Sequence, residues 1–192
     1  MTALSQIRQS AKSQEALADV SIAGEFLRYH DFTDAWLGRL VANDADLQGT
    51  CWRAAVLDEP HFDDANLYGS TWDDARVLEG TFHGAKLARS QLHRTTLFSC
   101  AVMDADLSFV DATGADFDST VFQRCSFTNA KLTGVVAKYA SFRGCDMTNA
   151  DLSGMQLEKT SFEGAILRGV CWNGVVMVDV AFDPGADPRV TR

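Results

Sequence analysis

The chain has 192 residues, 46% of them hydrophobic, so a single domain can bury a sizeable core without a disulfide or a metal. Its 26 acidic and 17 basic residues give a formal net charge of −9, which disfavours nonspecific nucleic-acid binding and adsorption to an anionic membrane. Five cysteines without a CxxC pair suit a reducing compartment, and neither a leader-like apolar stretch at the N-terminus nor a run long enough to span a bilayer is present, so a cytoplasmic, non-membrane protein is expected.

Residues 1–20 read as an N-terminal capping helix or arm. Leu4, Ile7 and Ala11 fall at helical spacing, and Thr2 or Ser5 can serve as the N-cap. From residue 21 to 183 the sequence keeps a strict period of five. Every fifth residue from Ile22 to Phe182 is hydrophobic, with no insertion between. Two places before most of these stands a small residue, as at Ala35, Ala45, Thr50, Ala65, Ser70 and Ala75. A helix needs a spacing of 3.6 and a strand a spacing of 2, so a long run at five fits neither. Each repeat must be a short extended step followed by a turn, and glycine recurs two places after the large residue, where a turn can use positive φ.

Taken by twenties, the large column separates into four ladders, the sides of a four-sided coil. The first face runs from Ile22 through Phe62, Phe82, Phe122 and Phe142 to Phe182. The second runs from Leu27 to Leu167, the third from Phe32 through Trp52 and Trp72 to Trp172, and the fourth from Leu37 to Met177. Like stacks on like, as expected where each coil touches only its neighbours. The first coils are irregular, with Glu25 and His30 at small positions. Residues 184–192 read as a flexible tail rich in proline and charge.

Segments such as ADLQG (45–49), ANLYG (65–69), AKLTG (130–134) and ADLSG (150–154) resemble the pentapeptide-repeat family over roughly residues 20–183. The resemblance implies an all-β fold, a right-handed quadrilateral β-helix (solenoid). It has about eight coils stacked at ~4.8 Å, a rod of roughly 40 Å, closed by the short N-terminal helix.

No catalytic, cofactor or metal constellation is legible. His30, His61, His83 and His93 fall in different coils, and the many Asp and Ser residues recur because outward positions tolerate them. Cys125 and Cys145 occupy the small inward column and read as core filler, whereas Cys51 and Cys171 should be more exposed. Charge is banded. Asp58, Glu59, Asp63, Asp64, Asp73, Asp74 and Glu79 form a candidate acidic patch within an acidic block at 44–79; Lys86, Arg89 and Arg94 follow without an acid between 80 and 103. Beside the fourth face, Leu78, Phe98, Val136 and Tyr139 stand outside the core columns and form a candidate partner surface.

The function expected is a non-catalytic protein–protein interaction module acting on a protein partner, not on nucleic acid or membrane, as a monomer or a dimer. Two alternatives come from the resemblance. Acidic rods related to the fluoroquinolone-resistance proteins look like duplex DNA and bind DNA gyrase or topoisomerase IV, although here basic bands interrupt the acidic track and no dimerisation helix follows the last coil. Other bacterial members are secretion-system effectors or adaptors, which makes a secreted protein the alternative to a bacterial cytoplasmic one.

Overall fold

The computed structural model describes residues 2–188. One helix, α1 (Ala3–Ser13), precedes eleven short strands: β1 (Leu17–Ala18), β2 (Trp36–Gly38), β3 (Val56–Asp58), β4 (Arg76–Leu78), β5 (Thr96–Phe98), β6 (Ala101–Met103), β7 (Val121–Gln123), β8 (Val136–Lys138), β9 (Ser141–Arg143), β10 (Gln156–Glu158) and β11 (Val176–Val178). All pairings are parallel. They join residues twenty apart, as in Leu37 with Leu57 and Val102 with Phe122. The fourth face carries β1 to β5 in order and then β8, β10 and β11, with Asp116 bridging the two groups. The first face carries β6, β7 and β9, and single bridges such as Lys86 with Asp106 and Gln91 with Asp111 continue the ladders on the second and third faces. The chain is a β-solenoid of about eight turns, and the twenty-residue coil expected from the sequence is its repeat.

Turn chemistry explains the five-residue step. On the third face the Ala35 N–H donates to Phe32 O (3.1 Å) while Asp34 takes φ 60°, the type II arrangement with positive φ at its third residue. Glycine is one solution to that corner, and Asp, Asn, Arg, Ser and Tyr fill it elsewhere. Gly49 has a second reason: the Tyr29 ring lies against it, 2.5 Å from where a Cβ would stand.

The inward columns are buried almost throughout, and equivalent rings stack coil on coil: Trp52 on Trp72 at 5.2 Å, Phe62 on Phe82 at 5.1 Å and Phe122 on Phe142 at 5.1 Å. The small column does more than make room. Thr50 and Ser70 each accept the indole N–H of the tryptophan two residues later, at 2.9 and 2.7 Å. Thr95 and Ser90 donate to carbonyl oxygens of the preceding coil, at 2.7 and 2.9 Å. A buried indole or hydroxyl without a partner costs on the order of 1–3 kcal/mol. Among the described residues no buried side-chain polar atom lacks one. Where the third ladder drops from Trp72 to Leu92, an apolar void of about 10 Å³ remains.

Thr2 caps α1, its hydroxyl oxygen accepting the Ser5 N–H. The helix closes the first coil with Ile7, fully buried, and with Ser10, whose hydroxyl donates to Trp36 O (2.9 Å) and accepts the Trp36 N–H (3.2 Å). The ladder itself starts at Leu17, one pentapeptide before Ile22 and within the segment read as the arm. Glu25 is exposed, which suits its place in the first coil. At the other end Asp183 accepts the Gly164 N–H (2.9 Å) and Ala186 closes a turn onto Asp183. Residues 189–192 of the expected tail lie outside the described residues.

Candidate interaction surfaces

Charges that follow one another in blocks along the chain face each other at a spacing of twenty. Three arginines sit directly above aspartates at positive-φ corners and bind them bidentately: Arg39 on Asp19 (2.7 and 2.8 Å), Arg94 on Asp74 (2.7 and 2.7 Å) and Arg124 on Asp104 (2.7 and 2.7 Å). The guanidinium hydrogen bonds hold all three carboxyls below their ordinary range. Exposed pairs of this kind contribute little to stability. Their main effect is to neutralise the corner.

The seven residues of the candidate acidic patch lie on three faces. Asp63 and Asp64 are on the first, Asp73 and Asp74 on the third, and Asp58, Glu59 and Glu79 on the fourth. Several meet a base or a backbone donor. Asp63 accepts the His83 N–H (2.9 Å) and lies 3.3 Å from that imidazole; Asp73 is 3.0 Å from His93 and 3.9 Å from Arg53; Asp74 holds Arg94. His93 is held between two coils, its other ring nitrogen 3.3 Å from Asp111. The acidic block is therefore a band around the rod in which Asp63, Asp73 and Asp74 face bases of neighbouring coils, while Asp58, Glu59 and Glu79 on the fourth face are in no ion pair among the described residues.

Of the candidate partner surface, Leu78 and Phe98 pair directly across β4 and β5. Val136 and Tyr139 lie two coils further on, beyond Asp116 and Asp118, and the Lys159 ammonium covers the Tyr139 ring at 5.2 Å. The four residues share a side of the rod in two separate clusters.

The second face carries exposed aromatics that the apolar survey of the fourth face passes over. Phe26 is 84% exposed, Tyr29 72%, Phe109 49% and Tyr68 41%. A shallow groove of about 410 Å³ lies on this face beside Tyr68, lined by Gln48, Asn66, Tyr68, Lys86, Ala88 and Asp106. The Arg89 guanidinium lies over the Phe109 ring, 4.7 Å from its centre. Their signal in the sequence is an outward aromatic recurring on one face at a spacing of about forty, at Tyr29, Tyr68 and Phe109, with Phe26 beside the first.

Among the described residues, no cluster of three or more His, Cys, Asp or Glu is placed to hold a metal ion, and no helix is long and apolar enough to cross a membrane. Cys100, Cys125 and Cys145 are buried, Cys51 and Cys171 half-buried. Burial pushes the Cys100 thiol up to about 12, and contact with Cys125 together with burial raises that of Cys145. Both stay protonated and unreactive at neutral pH.

Residues 103–136 and 138–171 match the family described as pentapeptide repeats, in 8 copies. No curated protein sequence matches the chain. Among solved structures it is similar to QnrB1, a plasmid-mediated fluoroquinolone resistance protein, at 12% identity over 85% of this chain and 82% of that one, with a TM-score of 0.42. It is also similar to HetL from Nostoc sp. strain PCC 7120, a pentapeptide-repeat protein involved in heterocyst differentiation regulation, at 22% identity over 92% and 94% of the two chains, TM-score 0.28. A third such structure is a pentapeptide-repeat protein of the Arabidopsis thaliana thylakoid lumen, at 22% identity over 58% and 68%, TM-score 0.29. With an inward small–large pair at every fifth residue and a twenty-residue coil from Leu17 to Phe182, the chain has the fold of pentapeptide-repeat proteins, and residues 103–136 and 138–171 carry that family's repeats.

Proposed function

We propose that the chain is a non-catalytic protein–protein interaction module. The observation that carries this reading is the display of large apolar side chains on flat, regularly spaced faces outside a filled core: Phe26, Tyr29, Phe109 and Tyr139 are each about half exposed or more. Aromatic side chains held on a rigid scaffold bind protein surfaces at low entropic cost. The test is affinity capture with the whole rod beside one charge-reversal variant per face. A partner retained by three variants and lost from the fourth supports the reading; a partner bound equally by all of them, or by heat-unfolded protein, overturns it.

A second reading, an acidic rod that binds DNA gyrase or topoisomerase IV in place of DNA, is favoured by Asp58, Glu59 and Glu79, which have no ion-pair partner among the described residues and cluster on and beside β3 and β4. Its test is inhibition of gyrase supercoiling by the purified rod. Inhibition lost in Asp58→Lys/Glu79→Lys supports it, and unchanged supercoiling at saturating rod excludes it.

A further inference from the structure

The basic block at residues 80–103 does not share one fate. Arg94 is consumed by Asp74. Lys86 and Arg89, on the second face, have no ion-pair partner among the described residues. The carboxylate nearest to Lys86 in the ladder, Asp106 of the next coil, accepts its own coil's Ser108 N–H at 2.9 Å. Arg89 instead braces its guanidinium on the Phe109 ring, which fixes the group in place and leaves its N–H edge open to solvent.

Around these two cations the surface changes sign. The second face holds four basic and four acidic residues, with the exposed Glu25 among the acids, in a chain of net charge −9, and the other three faces each carry an excess of acid. An acidic ligand is repelled by three sides of the rod, and on the remaining, balanced side it meets a locally basic segment, 85–89, with two cations and no acid. That side also has the groove, lined by Tyr68 and Lys86, while Arg89 and Phe109 stand beside it at the coil corners; the coil of Lys86 and Arg89 lies between the coil of Tyr68 and that of Phe109.

Building on the interaction-module reading, we propose that the second face between Tyr68 and Phe109 docks an acidic, extended segment of a partner protein, whose carboxylates bind Lys86 and Arg89 and whose backbone lies along the groove. Charge complementarity selects this occupant. Lys86 supplies a mobile point charge, and Arg89 a pre-oriented fork suited to a carboxylate.

The experiment is fluorescence anisotropy of the full-length rod with a fluorescein-labelled peptide of alternating glutamate and tyrosine, beside a lysine–tyrosine peptide of equal length and an oligonucleotide of equal charge. The variants are Lys86→Glu/Arg89→Glu and, as a control of identical net charge, Lys138→Glu/Lys159→Glu on the fourth face; circular dichroism confirms that both fold. The expected result is saturable binding of the acidic peptide, weakened about tenfold or more by the second-face variant and little changed by the control. Equal loss in both variants, preference for the basic peptide, or tighter binding of the oligonucleotide overturns the proposal. If capture of a partner is abolished by the fourth-face variant while the acidic peptide ignores the second face, this assignment falls and the interaction-module reading stands. If no variant on any face alters capture or peptide binding, both fall.

Discussion

The two ends of the rod are built from the same columns and reach different states. At the N-terminal end α1 covers the first coil, and Ile22, Phe32 and Leu37 are fully buried. At the C-terminal end Leu167, Trp172, Met177 and Phe182 occupy equivalent positions and are only half-buried. The residue types do not set the difference, since a coil's interior is completed by what lies on either side of it. The tryptophans show this most sharply. Trp52 and Trp72 each have a hydroxyl two residues earlier to take the indole N–H, whereas Trp172 has Val170 at that place and is only half-buried.

The comparison predicts unequal costs for one chemical change. Trp72→Ala, in the middle of the stack, should cost about 3–5 kcal/mol by urea unfolding. Trp172→Ala should cost less than half as much and act chiefly as lost amide-exchange protection in the last coil. Equal midpoint shifts would mean that the last coil is as well covered as the middle. Next in size is the cap. Ile7→Ala should cost about 2–4 kcal/mol, and Met177→Ala, at the open end, clearly less. Smaller again is Ser10→Ala, which strips Trp36 of its N–H acceptor and should cost about 1–3 kcal/mol, read as faster exchange of the Trp36 amide with the interior coils unchanged.

The architecture was legible in the sequence because the period is a backbone property. Five-residue turns and inward pairs admit no slip between Ile22 and Phe182, and the ladders at twenty follow from them. Counting one more step back from Ile22 lands on Leu17, which shows how the arm and the first rung overlap. Surface relations were harder to read. Asp74 and Arg94 lie in blocks of opposite sign along the chain, yet they are in contact, because proximity on a solenoid is measured at twenty and not at one. Two side chains twenty apart can also fail to pair: Lys86 and Asp106 share a ladder without an ion pair, whereas Lys131 and Asp111, at the same spacing on the next face, form one. The candidate partner residues suffered from the same projection. Leu78 and Phe98 are register partners, but Val136 and Tyr139 stand beyond a coil that places Asp116 and Asp118 on the fourth face.

The smallest expected effect contrasts the middle of the third face with the coils nearer the C-terminal end, through acid stability. Asp111 and Asp151 occupy the same column, forty residues apart, and both accept hydrogen bonds from the turn that follows them. Asp111 has in addition His93 at 3.3 Å and Lys131 at 3.3 Å. Burial alone would raise the Asp111 carboxyl, but the bonds from Thr113, His93 and Lys131 outweigh it and bring the group to about 2 from an ordinary 3.8. At Asp151 the Ser153 bonds also lower the value. A carboxyl lowered in the folded state stabilises it fully above the unfolded value, and that contribution is lost as pH falls through the folded one. The melting temperature of the wild-type rod should therefore fall between pH 4 and pH 2. Asp111→Asn should be less stable than wild type at pH 5, with the gap closing by pH 2. Asp151→Asn should show a smaller gap over the same range. A gap for Asp111→Asn that stays constant from pH 5 to pH 2 would mean that Asp111 contributes through turn geometry alone and that the charges stacked above and below it are without effect on stability.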